Sequence, residues 1–281
     1  MRHVSVLILT LNEEQDLPGA LASVSWSDDV HVFDSFSTDA TVSIAEGLGA
    51  KVSQRVFDNY AAHRNAALNQ IHFRHPWVLL MDADERCTPA LAEEVERVAM
   101  ANDSEIAAYR LRRRDYFENR WLRHAQISPW YVRLVRPELT RYTREINEVL
   151  EIAGNVGELN SALDHYPFSK GMSHWLRKHD MYSSMEARLI VEGTGLQNPS
   201  LRKALIAGDF HERRLHQKAL FYRMPGRPFL KWLYMVFARR AFLDGRPGLT
   251  YARLQAIYEY MIVLKTRELR EQTARESGSR D

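Results

Sequence analysis

The 281-residue sequence contains one cysteine, Cys87, so it makes no intramolecular disulfide; with no local activator beside it, this thiol is read as reduced and without a catalytic role. Long apolar runs are also missing. The most apolar stretch, residues 229–237, falls far short of the roughly 20 residues that span a bilayer. No leader with a basic, then apolar, then small-residue order is present, because Asn12-Glu13-Glu14 interrupts the first apolar run, and the expectation is a cytoplasmic protein. Zinc patterns and RNA-binding motifs are lacking, so Arg110, Arg112, Arg113 and Arg114 are read as part of a strand over 107–116 and not as a nucleic-acid surface. A glycine-rich phosphate loop with a basic residue is absent after the first apolar run, where Thr10-Leu11-Asn12-Glu13-Glu14 stands instead. That absence argues against a nucleotidyltransferase.

What is there alternates. Val4-Ser5-Val6-Leu7-Ile8-Leu9 reads as a strand, and Leu17, Leu21 and Val24 follow at helical spacing. Val30-His31-Val32-Phe33 repeats the strand, then Ile44, Ala45 and Leu48 the helix. A third strand is expected over 51–54, an Ala-rich helix over 60–70 and a fourth strand over 77–81. Strands alternating with helices of this length imply an α/β fold with a doubly wound, mainly parallel sheet. Ligands of such sheets bind beyond the carboxyl ends of the strands. The polar segments 10–13, 34–39 and 82–84 all follow strands and should gather along that rim.

Asp82 and Asp84 form the chemically most telling pair. Side chains two apart on an extended chain point the same way, so both carboxylates can address one divalent cation whose remaining ligands are phosphate oxygens. The competing interpretation is a solvated turn before a helix that starts at Thr88-Pro89.

Four ordered segments carry a resemblance: 4–14, Asp34-Ser35-Phe36-Ser37-Thr38-Asp39, His63-Arg64-Asn65-Ala66-Ala67-Leu68, and Leu80-Met81-Asp82-Ala83-Asp84-Glu85-Arg86. They resemble the motifs of family 2 glycosyltransferases. Further matches at 113–117, 120–122, 132–135, 163–166 and 242–246 extend the similarity to the lipopolysaccharide-core β-glucosyltransferase branch of that family, the WaaE/KdtX type. The resemblance implies a GT-A fold over residues 1–168, with a helical, basic region over 169–281. It further implies a nucleotide-sugar donor such as UDP-glucose, a divalent Mg2+ or Mn2+ ion at Asp82 and Asp84, and inversion at the anomeric carbon. Thr10, Asn12, Glu13, Asp34 and Asp39 are the residues expected at the nucleotide, with Asp39 alternatively capping the next helix. Arg64 is expected at the nucleotide or its phosphates, and His165 at the metal or diphosphate or in a structural role. Glu148 is the expected catalytic base and Asp115 the runner-up. Two departures stand out: Phe36 replaces the family's glycine, and Asn147 replaces the histidine before Glu148.

Charge is divided unevenly. Residues 1–100 carry 7 Lys+Arg against 15 Asp+Glu, net −8, which leaves 31 against 21, net +10, for the remainder. A basic second part suits an anionic partner. Over 227–243 the spacing predicts one amphipathic helix with Arg227, Lys231 and Arg239 on a stripe, suited either to an anionic membrane surface or to packing on the rest of the chain. The expected acceptor is a glycan or glycolipid. The alternative function is a catalytically inactive family member that assists glycan assembly at a membrane.

Overall fold

Strands and helices alternate first and helices alone follow in the structure, a computed structural model that describes residues 3–143, 149–193, 200–206 and 210–278. Strand β1 (Val4–Thr10), helix α1 (Leu17–Ser23), β2 (Val30–Asp34), α2 (Thr41–Gly47), β3 (Lys51–Gln54), α3 (Tyr60–Gln70) and β4 (Trp77–Asp82) come first. Then follow β5 (Glu85–Cys87), α4 (Pro89–Ala101), β6 (Ile106–Phe117), β7 (Arg120–Trp121), β8 (Tyr131–Val135), β9 (Thr140–Thr143), β10 (Val149–Ile152) and β11 (Asn155–His165). Helices α5 (Gly171–Glu192), α6 (Leu201–Ile206), α7 (Phe210–Arg223), α8 (Arg227–Leu233) and α9 (Gly245–Gly278) complete the chain. Two compact units result, one of Met1–Tyr116 with Ile127–Ser169, the other of Phe117–Gln126 with Lys170–Asp281.

The first unit is built on a sheet of order β3-β2-β1-β4-β8-β6-β11-β5. Its β3, β2, β1 and β4 run parallel. Strand β8 is antiparallel to β4 and β6, while β11 is parallel to β6 and antiparallel to β5. The sheet is thus mixed and mostly parallel, and β1 and β4 are buried almost end to end because both faces are covered. Val4, Val6, Ile8, Leu79 and Met81 pack on one face and Leu7, Val78 and Leu80 on the other. Helix starts follow side-chain chemistry: Asn59 accepts the Ala62 N–H at 2.8 Å, and Thr88 Oγ1 accepts the Leu91 N–H at 3.2 Å.

One connection decides where the site lies. Strands β4 and β5 are separated only by Ala83 and Asp84, yet β5 closes the strand order at its far end. The path β4-β8-β6-β11-β5 therefore returns to the turn from which it departed. Across that return, His165 pairs with Glu85 on one side and with Asp115 on the other.

The second unit corrects the expected basic helix over 227–243. Helix α8 stops at Leu233, a π turn follows at Tyr234–Ala238, Arg240 takes a left-handed φ of 57°, and a 3-10 turn occupies Ala241–Asp244. The stripe does not face outward. Arg227 is buried with Nε 2.8 Å from Glu259 Oε1, Arg239 Nη2 donates to the His124 carbonyl at 2.8 Å, and Lys231 is half-buried, with its pKa lowered by that burial. Acids and carbonyls from other segments of the same unit neutralise the stripe, which helical periodicity cannot register. The exposed side chains here include the aromatic Phe229, Tyr234, Phe237 and Phe242 besides Arg240. Among the described residues no helix is long and apolar enough to cross a membrane.

Candidate active site

Two groups of carboxylates mark the carboxyl ends of the parallel strands. The first is centred on Asp34, whose side chain is fully buried. Its Oδ1 accepts from Thr10 Oγ1 at 2.8 Å and Ser37 Oγ at 2.5 Å; its Oδ2 accepts from the Ser37 N–H at 2.8 Å and Gln54 Nε2 at 3.0 Å. Burial alone would raise its pKa, but these donors hold it below the ordinary carboxylate range. The loops after β1 and β2 are laced together around it. Asn12 Oδ1 accepts the Thr38 N–H at 2.8 Å, the Asn12 N–H donates to Ser37 Oγ at 2.8 Å, and the Glu13 N–H donates to Thr41 Oγ1 at 2.7 Å. Asp39 accepts from the Thr41 N–H at 3.0 Å and the Glu14 N–H at 3.2 Å, so it serves both the start of α2 and the opposite loop.

Phe36 sits in this turn with φ +59°, the left-handed region that glycine enters without steric cost. The turn keeps the backbone a glycine would take and carries a half-exposed aromatic ring on it.

The second group surrounds the turn between β4 and β5. Asp82 Oδ2 is 2.9 Å from Arg133 Nη2, and Oδ1 is 3.6 Å from Arg64 Nη2. Burial would raise the Asp82 pKa, but Arg133 and Arg64 hold it well below its usual value. Glu85, completely buried, accepts the Asp82 N–H at 2.9 Å and Arg133 Nη2 at 2.7 Å, with Arg113 Nη1 3.5 Å away; burial pushes its pKa up. Arg113 also meets Asp115 at 3.1 Å. His165 joins the two halves: its Nδ1 is 2.5 Å from Asp115 Oδ1 and its Nε2 3.2 Å from Asp84 Oδ2. Burial would lower the His165 pKa, but the two carboxylates raise it to about 9.

The backbone holds the turn in place. The Tyr166 N–H donates to the Asp84 carbonyl at 2.9 Å, and Arg86 Nη1 donates to the Ala83 carbonyl at 2.8 Å. A Cβ at position 19 would lie 2.5 Å from Arg86 Nε, so a side chain there would displace that guanidinium from its present place.

Of the residues singled out from sequence, Asp82, Asp84, Asp115, His165 and Arg64 come together here, while Thr10, Asn12, Glu13, Asp34 and Asp39 form the neighbouring cluster. Glu148 lies outside the described residues. Among the described residues no set of three or more His, Cys, Asp or Glu side chains is arranged to hold a metal. Asp84 Oδ2 and His165 Nε2 do converge, and an oxygen with an imidazole nitrogen suits a divalent ion that takes its other ligands from phosphates. Sequence reasoning gave no role to Glu85, Arg113 or Arg133. A signal for Arg133 existed: a lone arginine inside the apolar strand Tyr131–Val135 needs a buried acid.

Comparison with known proteins identifies the family. The family model described as glycosyl transferase family 2 matches residues 5–166. An uncharacterized glycosyltransferase of Rickettsia felis is 29% identical over 260 residues, covering 87% of this chain and 85% of the relative. The lipopolysaccharide core biosynthesis glycosyltransferase LpsC of Rhizobium meliloti is 25% identical over 272 residues, covering 93% and 91%. Among solved structures, the mannosyltransferase PcManGT of Pyrobaculum calidifontis, in complex with GDP-Man and Mn2+, superposes with a TM-score of 0.52 at 15% identity, covering 94% of this chain and 87% of that one.

Proposed function

Because the chain belongs to glycosyl transferase family 2, we propose that it is an active, inverting, metal-dependent hexosyltransferase that moves a sugar from a nucleotide-sugar donor to a lipid-linked glycan such as lipopolysaccharide core. Its fold is of the GT-A type. The observation that carries the reading is the convergence of Asp84, His165 and Asp115 with the Asp82–Arg133–Glu85 group on one turn. Mn2+ in the mannosyltransferase complex supports the metal, and the name of the LpsC relative supports the acceptor class. UDP-glucose remains the donor we propose, carried by the sequence resemblance. A cytoplasmic setting is proposed with it, since nucleotide-sugar donors are soluble.

Asp84 and His165 are the residues we assign to a divalent ion, which would offset the negative charge that builds on a departing diphosphate. Asp115 then orients His165: a carboxylate on Nδ1 fixes the tautomer that leaves Nε2 as the ligand atom. Asp82, matched by Arg133 and Arg64, keeps two guanidinium groups at the same place, where they complement phosphate oxygens. Thr10, Asn12, Glu13, Asp34 and Asp39 are proposed to shape the base and ribose pocket. Glu148 is proposed to take the proton from the acceptor hydroxyl, which leaves Asp115 to its orienting role.

The test is release of nucleoside diphosphate by purified protein with Mn2+ or Mg2+, across a panel of donors, with and without acceptor glycolipid. Turnover that needs the ion supports the reading; silence with every donor and either ion would favour the inactive assembly factor. In Glu148→Gln, donor binding by calorimetry should be unchanged while kcat falls at least roughly a hundredfold, as for loss of a general base. A parental kcat would move that role to another carboxylate.

A further inference from the structure

The second unit holds a cavity of about 520 Å³ between the end of α5, the end of α7, the start of α8 and α9. That is the size of a small-molecule site. Its wall is part apolar and part cationic. Ile190, Met224, Tyr260 and Val263 supply hydrocarbon and aromatic surface, Arg227, Arg267 and Arg270 supply guanidinium groups, and Glu271 supplies one carboxylate.

The charges on this wall do not cancel. Arg227 is 4% exposed, lies over the Tyr222 ring at 4.9 Å and stands 2.8 Å from Glu259. The alignment of a hydrogen bond is missing there, so Arg227 Nε and Glu259 Oε1 are both buried without one. Arg267 meets Glu271 at 3.0 Å. Glu186 is engaged by Lys218 at 3.1 Å and by the Tyr222 hydroxyl at 2.8 Å. Arg270 is exposed and has no acidic partner among the described residues. Arg267 and Arg270 are three apart on α9 and so share a face.

The apolar part of the wall is equally unsatisfied. Met224 is 47% and Tyr260 52% exposed, and both border the cavity. Large apolar side chains left in water around one concavity mark a place where something apolar binds.

We propose that this cavity binds an anionic amphiphile, a phosphate head on a hydrocarbon chain. The chain lies against Ile190, Met224, Tyr260 and Val263, and the head is gripped by Arg270 and Arg267. A tetrahedral phosphate offers enough oxygens for two guanidinium forks at once. The inference goes beyond sugar transfer and stands on the second unit alone, so it can fail while the transferase reading holds, and the reverse.

Calorimetric titration of the full-length protein with dodecyl phosphate, below its micelle concentration, tests it. One molecule should bind per chain. Inorganic phosphate and dodecyl maltoside should each bind at least roughly tenfold more weakly, since each supplies half of the recognised chemistry. Arg267→Glu with Arg270→Glu should weaken dodecyl phosphate by at least roughly tenfold through charge reversal at exposed positions, with an unchanged Tm. Met224→Glu, a second exposed change on the apolar side, should weaken it too. Equal binding of dodecyl maltoside would overturn the ionic half of the proposal, and equal binding of inorganic phosphate the apolar half. Undiminished dodecyl phosphate binding by both folded variants would overturn the site itself.

Discussion

The carboxylates of Asp34 and Asp82 end neighbouring rows of the same sheet, Asp34 beside Thr10 and Asp82 beside Leu9, but they are stabilised in opposite ways. Asp34 is surrounded by neutral donors, two hydroxyls, an amide side chain and a backbone N–H, which together fill its acceptor positions. Asp82 and Asp84 are surrounded by charge: Arg133 and Arg64 on one, His165 on the other. A saturated buried carboxylate is a strut. A set of carboxylates balanced by cationic side chains can exchange partners when a ligand brings its own charges. The first arrangement fixes two loops, and the second is suited to chemistry.

The sharpest way to break this contrast is Asp84→Asn. Under the proposed function transfer should fall by at least roughly a hundredfold, because the carboxylate assigned to the divalent ion is lost, while the Tm moves little at a partly exposed rim position. Near-normal, metal-dependent turnover in that variant would reduce the turn to an ordinary one. Asp115→Asn comes next. If the carboxylate orients His165, Mn2+ affinity followed by electron paramagnetic resonance should drop about 10- to 100-fold; unchanged affinity with lost turnover would make Asp115 the base instead.

At the other cluster the expected loss is of stability. Asp34→Asn should cost about 1–3 kcal/mol in urea unfolding, since an amide cannot accept from all of the donors that meet there. The folded pKa of Asp34 is depressed, so its contribution is present above the ordinary carboxylate range and lost as pH falls through the folded value. The variant should therefore show a flatter acid-side decline, and a parallel decline would assign it to other carboxylates. The smallest effect belongs to Phe36→Gly. Relief of the left-handed strain, partly offset by the added freedom of glycine when unfolded, should raise stability by about 0.5 kcal/mol. A lowered urea midpoint would show instead that the ring is held by packing.

How much of this was legible depended on the distance over which residues act. Strand β3 and helix α3 match the sequence expectation at both ends, because an Ala-rich run and the short segment before it are local signals. Asp82 and Asp84 could be placed at a strand end for the same reason. Their partners could not: Arg133 is 51 residues from Asp82 and His165 is 81 from Asp84, and only the pairing of β8 with β4 and of β11 with β5 and β6 brings them in. The basic stripe over 227–243 left its direction open between a membrane surface and internal packing for the same reason. Its period was real, but Glu259, which decides the direction Arg227 faces, lies on another helix.

The return of the strand path to the turn at Ala83-Asp84 also sets an order of assembly. Every hydrogen bond of the Asp34 cluster spans no more than 28 residues, so that cluster can form from the first quarter of the chain. The Asp84 cluster has to wait for His165, because β11 must dock before β5 has a neighbour. Contacts of long sequence separation form late, after the entropy of closing their loops has been met. During synthesis, a chain released before that histidine would have a sheet and a laced pair of loops, but no Asp84 cluster. Formation of the Asp84 cluster thus reports on completion of the first unit, whereas the lacing of the loops around Asp34 reports only on the start.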